Sequence, residues 1–395
     1  MPRNAEASLH HVMLALACLV PHAVGCTCSA SPSERSRRAA SQSEIARFAE
    51  SSNRLGLAVY ARLAASEEAN LVLSPAGVAL ALTLVEVGGG DATREDLLAA
   101  LYDGGDEDAL YAAVNAGLTR PGLASTSEVV LRADLEALEP FVSTVEGRFG
   151  TRVVTEGPDG TGGDFDAALG GSMAAAVISH ARFSGRWVHP LSHRVVALAP
   201  FAGFNGERLR VPTMWVRARL RGAVLPGVVV VEMPYEGGDF SMLLVRANEQ
   251  HTLAHELTPS VLSSWVAHLE PMEIEVSLPR FVVGPQVHRL NRALAEAGVG
   301  RMFDSQQADL SRLARSTRPL AVASVVQGAH IAVDEYGTRA ESTTFVGVTD
   351  ASGEPELSVR FDRPFLFILR DNNTGLVAFL GRVGDPRVGV SQEPR

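Results

Sequence analysis

From Ser43 to Ala65 the apolar residues Ile45, Phe48, Leu55, Val59 and Leu63 recur at helical spacing, which predicts an opening amphipathic helix. Pro75 to Val87 is apolar on nearly every face, so a helix there has to be buried. Asp91-Ala92-Thr93-Arg94-Glu95-Asp96 starts another, acidic at the end where the helix dipole favours negative charge. Further along, the β-branched run Val228 to Val231 reads as a buried strand. Phe240 to Val245 and Glu273 to Ser277 also read as strands, and Ser260 to Leu269 as a helix. Helices and strands mix without strict βαβ alternation, which points to an α+β fold.

One stretch is patterned differently. Val325 to Glu335 alternates as a strand and runs straight into Gly337. Beyond it, alternate residues of an extended chain divide into two faces. Thr338, Ala340, Ser342, Thr344 and Val346 are compact and uncharged, whereas Arg339, Glu341, Thr343 and Phe345 suit solvent or a surface groove. Such a segment is soluble as a loop and also fits a sheet as a strand with one buried face.

Composition narrows the function. The chain has 395 residues, a length that suggests two or three domains, and 46% of them are hydrophobic, ample for one large core. No internal repeat is present, and no apolar run in the body reaches membrane-spanning length. Net charge is −10 and all 35 basic residues are Arg, without an aromatic-studded basic stripe, so nucleic-acid binding is excluded. The three cysteines, Cys18, Cys26 and Cys28, all precede the body, which therefore relies on neither a disulfide nor a thiolate nucleophile. Arg3, the apolar stretch Val12 to Val20 and then Ala23-Val24-Gly25-Cys26 read as a secretory leader over residues 1–25. Its end resembles a bacterial lipobox, with Cys26 as the lipidated residue, although Ala23 stands where Leu is usual; secretion without lipidation is the other reading. Residues 26–43, rich in Ser and Arg, read as a flexible tether, so the expected location is secreted or lipid-anchored at the cell envelope, the lipid being the sole membrane contact.

Catalytic patterns are weak. No G-x-S-x-G elbow exists, and Gly171-Ser172 lacks its flanks. His251 and His255 share a helical face but lack the H-E-x-x-H order and a third ligand, and Asp159, Asp164 and Asp166 lack calcium-loop spacing. The glycine run Gly157 to Gly163 has no following Lys to make a phosphate loop. The chain reads as a non-enzyme with no metal or cofactor.

Several further motifs fall in a familiar order. Asn70-Leu71-Val72-Leu73-Ser74-Pro75 opens the buried helix; Phe183-Ser184-Gly185-Arg186-Trp187, Val211 to Met214, Glu232 to Tyr235, Leu278 to Phe281 and Ala308 to Ser311 follow. After the alternating stretch come Phe361-Asp362-Arg363-Pro364-Phe365 and Phe379-Leu380-Gly381-Arg382-Val383 through Pro386. In this order the chain closely resembles the serpin family over residues 44–386, leaving 387–395 as a tail. The resemblance implies a large central β-sheet with additional sheets and surrounding helices, and an exposed reactive-centre loop.

It also implies roles. Glu335 opens the hinge, Gly337 is its pivot, and Thr338, Ala340, Ser342 and Thr344 form the face that inserts into the sheet. The attacked residue is expected sixteen places after Glu335, making Ala351-Ser352 the scissile bond. A count one shorter puts Asp350 in the protease pocket instead. The expected partner is a serine protease held as a covalent acyl complex on a monomeric inhibitor; small residues at Ala351 suit elastase-like or subtilisin-like enzymes.

Departures from the family gather at one place. Ser179 and Gln327 stand where serpins usually carry Asn and His beneath the opening sheet, and Gly77 replaces the second Ser of the pattern begun by Ser74. Between Phe149 and Phe183 the family's cross-sheet helix pattern is missing, and Asp164 to Ala176 offers room for a shortened helix. The alternative function is therefore a non-inhibitory binding or scaffold protein on the same fold.

Overall fold

The computed structural model describes residues 39–66, 70–103, 106–156, 175–204, 206–247, 257–338 and 354–387. The first helix, α1 (Gln42–Ser66), follows the expected spacing and buries Phe48, Val59 and Tyr60 completely. A short strand, β1 (Leu71–Leu73), leads into α2 (Pro75–Gly88), every residue of which is buried. Ser74 starts that helix: its Oγ accepts a hydrogen bond from the Gly77 amide at 3.1 Å and donates to the Ala378 carbonyl at 2.6 Å. Pro75 then occupies the first turn, where a missing N–H is harmless. Helices α3 (Asp91–Tyr102) and α4 (Glu107–Leu118) pack beside it.

The remaining elements alternate between sheets. They run β2 (Leu123–Arg132), β3 (Glu136–Ala137), α5 (Glu139–Phe149), β4 (Arg152–Glu156), β5 (Ala175–Phe183) and β6 (Gly185–Arg186). Next come β7 (Ser192–Ala202), β8 (Arg208–Leu225), β9 (Val228–Pro234), β10 (Phe240–Ala247), α6 (Pro259–Ala267), β11 (Glu270–Pro279) and β12 (Phe281–Arg289). The chain closes with α7 (Asn291–Leu294), β13 (Ala314–Arg315), β14 (Val322–Val333), β15 (Gly337–Thr338), β16 (Leu357–Arg360), β17 (Phe365–Asp371) and β18 (Val377–Val383). The strands and helices expected from periodicity all form. Ala175 and Ala176, the end of the proposed shortened helix, instead begin β5; the preceding residues 157–174 lie outside the described residues.

One sheet orders its strands β4-β2-β5-β14, with β12 on the other side of β14 and the short β15 and β6 at the top. Its centre is a parallel pair, β5 with β14, in which Gln327 stands opposite Ser179. A second sheet runs β1-β18-β17-β10-β9-β8-β11-β16, with β7 against β8. A pair, β13 with β3, stands apart. Two apolar clusters hold the layers together. One joins α1 to α4 to the lower faces of β2, β5 and β14, and the other fills the space between the second sheet and the top of the first, around Trp187, Tyr235 and Phe281. Burial of this much apolar surface is the main force ordering both sheets.

Candidate functional site

The hinge is the first part of the site. After β14, Asp334 turns the chain: its Oδ1 accepts from the amides of Tyr336 at 2.8 Å and Gly337 at 3.2 Å, and its own amide donates to the Gly337 carbonyl at 3.0 Å. The chain then doubles back as β15, which lies between two strands. Thr338 pairs with Val333 of β14, while Gly337 and Thr338 pair with Arg186 and Gly185 of β6. Thr338 is 1% exposed and already belongs to the sheet, so the hinge strand begins within the fold. Glycine is required at 337 by close approach: a Cβ there would run into the Gly185 carbonyl oxygen.

Side chains fasten this turn. The Thr338 hydroxyl is hydrogen-bonded to the Tyr235 hydroxyl, and Tyr235 stacks on Trp187 with ring centroids 4.2 Å apart. Burial pushes the Tyr235 phenol well above its usual range, outweighing the hydrogen bond from Thr338, so the hydroxyl stays neutral. The Trp187 indole donates to the Asp334 carbonyl at 3.1 Å, and the Trp187 and Leu191 amides donate to the Tyr336 and Glu335 carbonyls at 2.9 and 2.8 Å. Glu335, itself buried, forms an ion pair with Arg280. Tyr235, Trp187 and Arg280 stand within motifs visible in the sequence, but their convergence on the hinge is a product of the fold.

The second part lies lower, beneath the β5–β14 pair. Gln327 is fully buried and grips the backbone of Ser74 twice: its Oε1 accepts from the Ser74 amide and its Nε2 donates to the Ser74 carbonyl, both at 2.8 Å. Gly77 faces that amide; a Cβ there would stand 2.9 Å from Nε2. The missing side chain at Gly77 thus leaves room for the Gln327 amide. Two neighbours extend the grip along β1. Gln286 accepts from the Val72 amide at 2.9 Å and donates to the Asn70 carbonyl at 2.7 Å, and His288 bonds the Val72 carbonyl at 3.0 Å. Alternate backbone groups of the segment entering α2 are thus satisfied by side chains rather than by a strand. Ser179, directly across the seam from Gln327, takes no part: its Oγ is buried without a hydrogen-bond partner.

Of the residues expected in the site, Ser74, Gly77, Ser179 and Gln327 do gather beneath the sheet, and Glu335, Gly337 and Thr338 gather at its top. Ala340, Ser342, Thr344, Ala351, Ser352 and Cys26 lie outside the described residues, as do His251 and His255.

Comparison with known proteins agrees with this architecture. The family model described as "Serpin (serine protease inhibitor)" matches residues 50–156 and 165–386. Leukocyte elastase inhibitor of Homo sapiens is 30% identical over 215 residues, which are 52% of this chain and 56% of that protein. The chain thus spans just over half the length of such curated relatives. Human thyroxine-binding globulin superposes with a TM-score of 0.77 at 17% identity, covering 87% of this chain and 99% of that one. Tengpin, a thermophilic serpin in its native state, gives 0.76 at 20% identity, covering 88% and 95%. The matched family model, and a sheet whose hinge strand enters between β14 and β6, together show that the chain belongs to the serpin family.

Proposed function

We propose that the chain inhibits serine proteases as a suicide substrate. The observation that carries this reading is the placement of Gly337 and Thr338 as the first two residues of a strand between β14 and β6. The protease serine attacks the Ala351 carbonyl, forming an ester there, and Ser352 leaves with the new amino terminus. Freed at that end, the segment extends β15 downward between β5 and β14, carrying the esterified protease with it. Thr338 to Ala351 is 14 residues, an inserted strand of about 46 Å at roughly 3.3 Å per residue. Ala351 in the attacked position suits pockets that accept small side chains, those of elastase-like and subtilisin-like proteases.

Incubation with elastase, subtilisin and chymotrypsin tests the reading. It predicts an SDS-resistant adduct and release of a C-terminal fragment beginning at Ser352. A fragment beginning at Ala351 would move the bond to Asp350 and the target to an Asp-directed enzyme. Thr338 is already buried in the intact sheet, so the test charge goes further along the inserting face: Ser342→Arg has to bury a charge without a partner on insertion and should abolish the adduct while leaving cleavage intact.

A second reading, a serpin-fold binding protein without inhibition, is favoured by one observation: Ser179 shares no hydrogen bond with Gln327, so no side-chain bond across the seam replaces the family's usual pair. Clean cleavage with no adduct selects it. For location, we propose a cell-envelope lipoprotein anchored at Cys26; incorporation of labelled palmitate, lost in Cys26→Ala, is the check.

A further inference from the structure

The chain has three tryptophans. Trp187 and Trp265 are buried, whereas Trp215 is 37% exposed on the outer face of the second sheet. It stands on β8, paired with Ser192 of β7 on one side and with Ser277 of β11 on the other. Ser277 is too short to cover the indole. Because alternate residues of a strand share a face, the rows beyond it carry Arg217 with Glu275 and Arg219 with Glu273. Polar groups on these rows engage one another: Arg217 Nε lies 3.4 Å from Glu273 Oε1, and the Ser358 hydroxyl of β16 donates to Glu275 at 3.4 Å. The ring is thus an apolar centre beside a rim of paired charges, the composition of an interface anchor.

A second exposed apolar residue lies close by. Val188 is 46% exposed, and the chain runs from it directly to Ser192, the cross-strand partner of Trp215. Between them, burial holds the His189 imidazole below its usual range and the Glu273 carboxylate partly offsets this, so the connection passes within electrostatic reach of β11. Val188 and Trp215 therefore belong to one strip. Its borders are the places where the described residues stop and resume. On one side is Thr338, paired with Gly185 of β6; on the other is Glu354, just ahead of β16, which pairs with β11.

We propose that this strip is a docking surface for the protease, with Trp215 and Val188 seating an apolar patch on the rim of the enzyme's substrate cleft. The proposal rests on the inhibitory reading above and adds a contact outside the attacked bond. Chain length argues for this occupant. Leu357 follows Ala351 by six residues, at most about 20 Å of extended chain. In the sheet, β8 lies two strands from β16, about 10 Å away. A protease of roughly 230 residues has a radius of gyration of about 17 Å, so an enzyme holding Ala351 is wide enough to rest on the strip. Charge argues the same way. Arg217 and Arg219 balance Glu273 and Glu275, so the strip suits an apolar rim and not a polyanion.

The test is the second-order rate of adduct formation with elastase and subtilisin. With the enzyme that the parent inhibits, Trp215→Ala should lower this rate about tenfold and Val188→Ser about threefold. Trp215→Phe keeps an aromatic ring and should retain most of the parent's rate. The number of inhibitor molecules used per enzyme should stay unchanged, because docking precedes cleavage and leaves insertion alone. Intact variants should unfold at the parent's temperature; if Trp215→Ala does not, Val188→Ser carries the test. Val224→Ser, at a site 63% exposed near the far end of β8, should have no effect. No adduct with the parent overturns the inhibitory reading and this one with it. A parental or faster rate in both strip variants, or an equal loss in Val224→Ser, overturns the docking surface alone.

Discussion

The two halves of the large sheet are attached to the rest of the molecule very differently. The β12–β14 half is fastened to the chain entering α2 by Gln286, His288 and Gln327, which together satisfy five backbone groups from Asn70 to Ser74. The β2–β4–β5 half presents Ser125, Ser127 and Ser179 on its inner face, and their hydroxyls are buried without hydrogen-bond partners. Among the described residues, one half is pinned to the chain entering α2 by side-chain hydrogen bonds, whereas the inner-face serines of the other half make none and that half meets α2 through packing. Packing against α2 is non-directional and tolerates sliding; paired hydrogen bonds to a fixed backbone do not. On the proposed insertion, the serine-lined half is the one free to move, and the β5–β14 ladder would break without dismantling the junction of β1 with α2.

Substitutions can break this contrast, in decreasing order of effect. Gln327→Leu strips both partners from the buried Ser74 backbone and should destabilise the intact protein by about 3–5 kcal/mol, read from urea unfolding. Gln286→Ala frees the Val72 amide and Asn70 carbonyl but removes a side chain that is itself only half-buried, and should lose about 2–3 kcal/mol in the same measurement. Gly77→Ala sets a methyl group against the Gln327 amide and should lose about 1–2 kcal/mol. Combined with Gln327→Leu, that loss should shrink, because both act on one bond. Ser179→Ala should change intact stability by less than about 0.5 kcal/mol despite complete burial, since no bond is removed. A loss near that of Gln327→Leu would show that the two halves are equally pinned.

Much of this was legible in the chain. The apolar run from Pro75 to Val87 required a buried helix, and Gly337 at the end of an alternating strand marked the hinge; the alternation beyond Thr338 lies outside the described residues. Ser179, Gln327 and Gly77 stood out together as departures from a family pattern, and they do meet in space. What replaced the usual bonds was not legible. Gln286 and His288 alternate along one strand, as polar residues facing any groove would, and nothing local announces that the backbone opposite them lies more than 200 residues away. Tyr235 was equally silent: its hydroxyl meets Thr338 only because β9 and the hinge converge across the upper core. The scissile bond rests on counting alone, since Ala351 and Ser352 lie outside the described residues.

The central claim is that Gly337 and Thr338 are the first residues of a strand the sheet is built to receive. Calorimetry of the intact protein and of the same protein cleaved in its loop tests it most directly. Completing the strand adds on the order of ten hydrogen bonds, about 10 kcal/mol in net terms. The cleaved form should therefore unfold roughly 10–15 °C higher than the intact one. An unchanged or lowered unfolding temperature after cleavage would contradict the account.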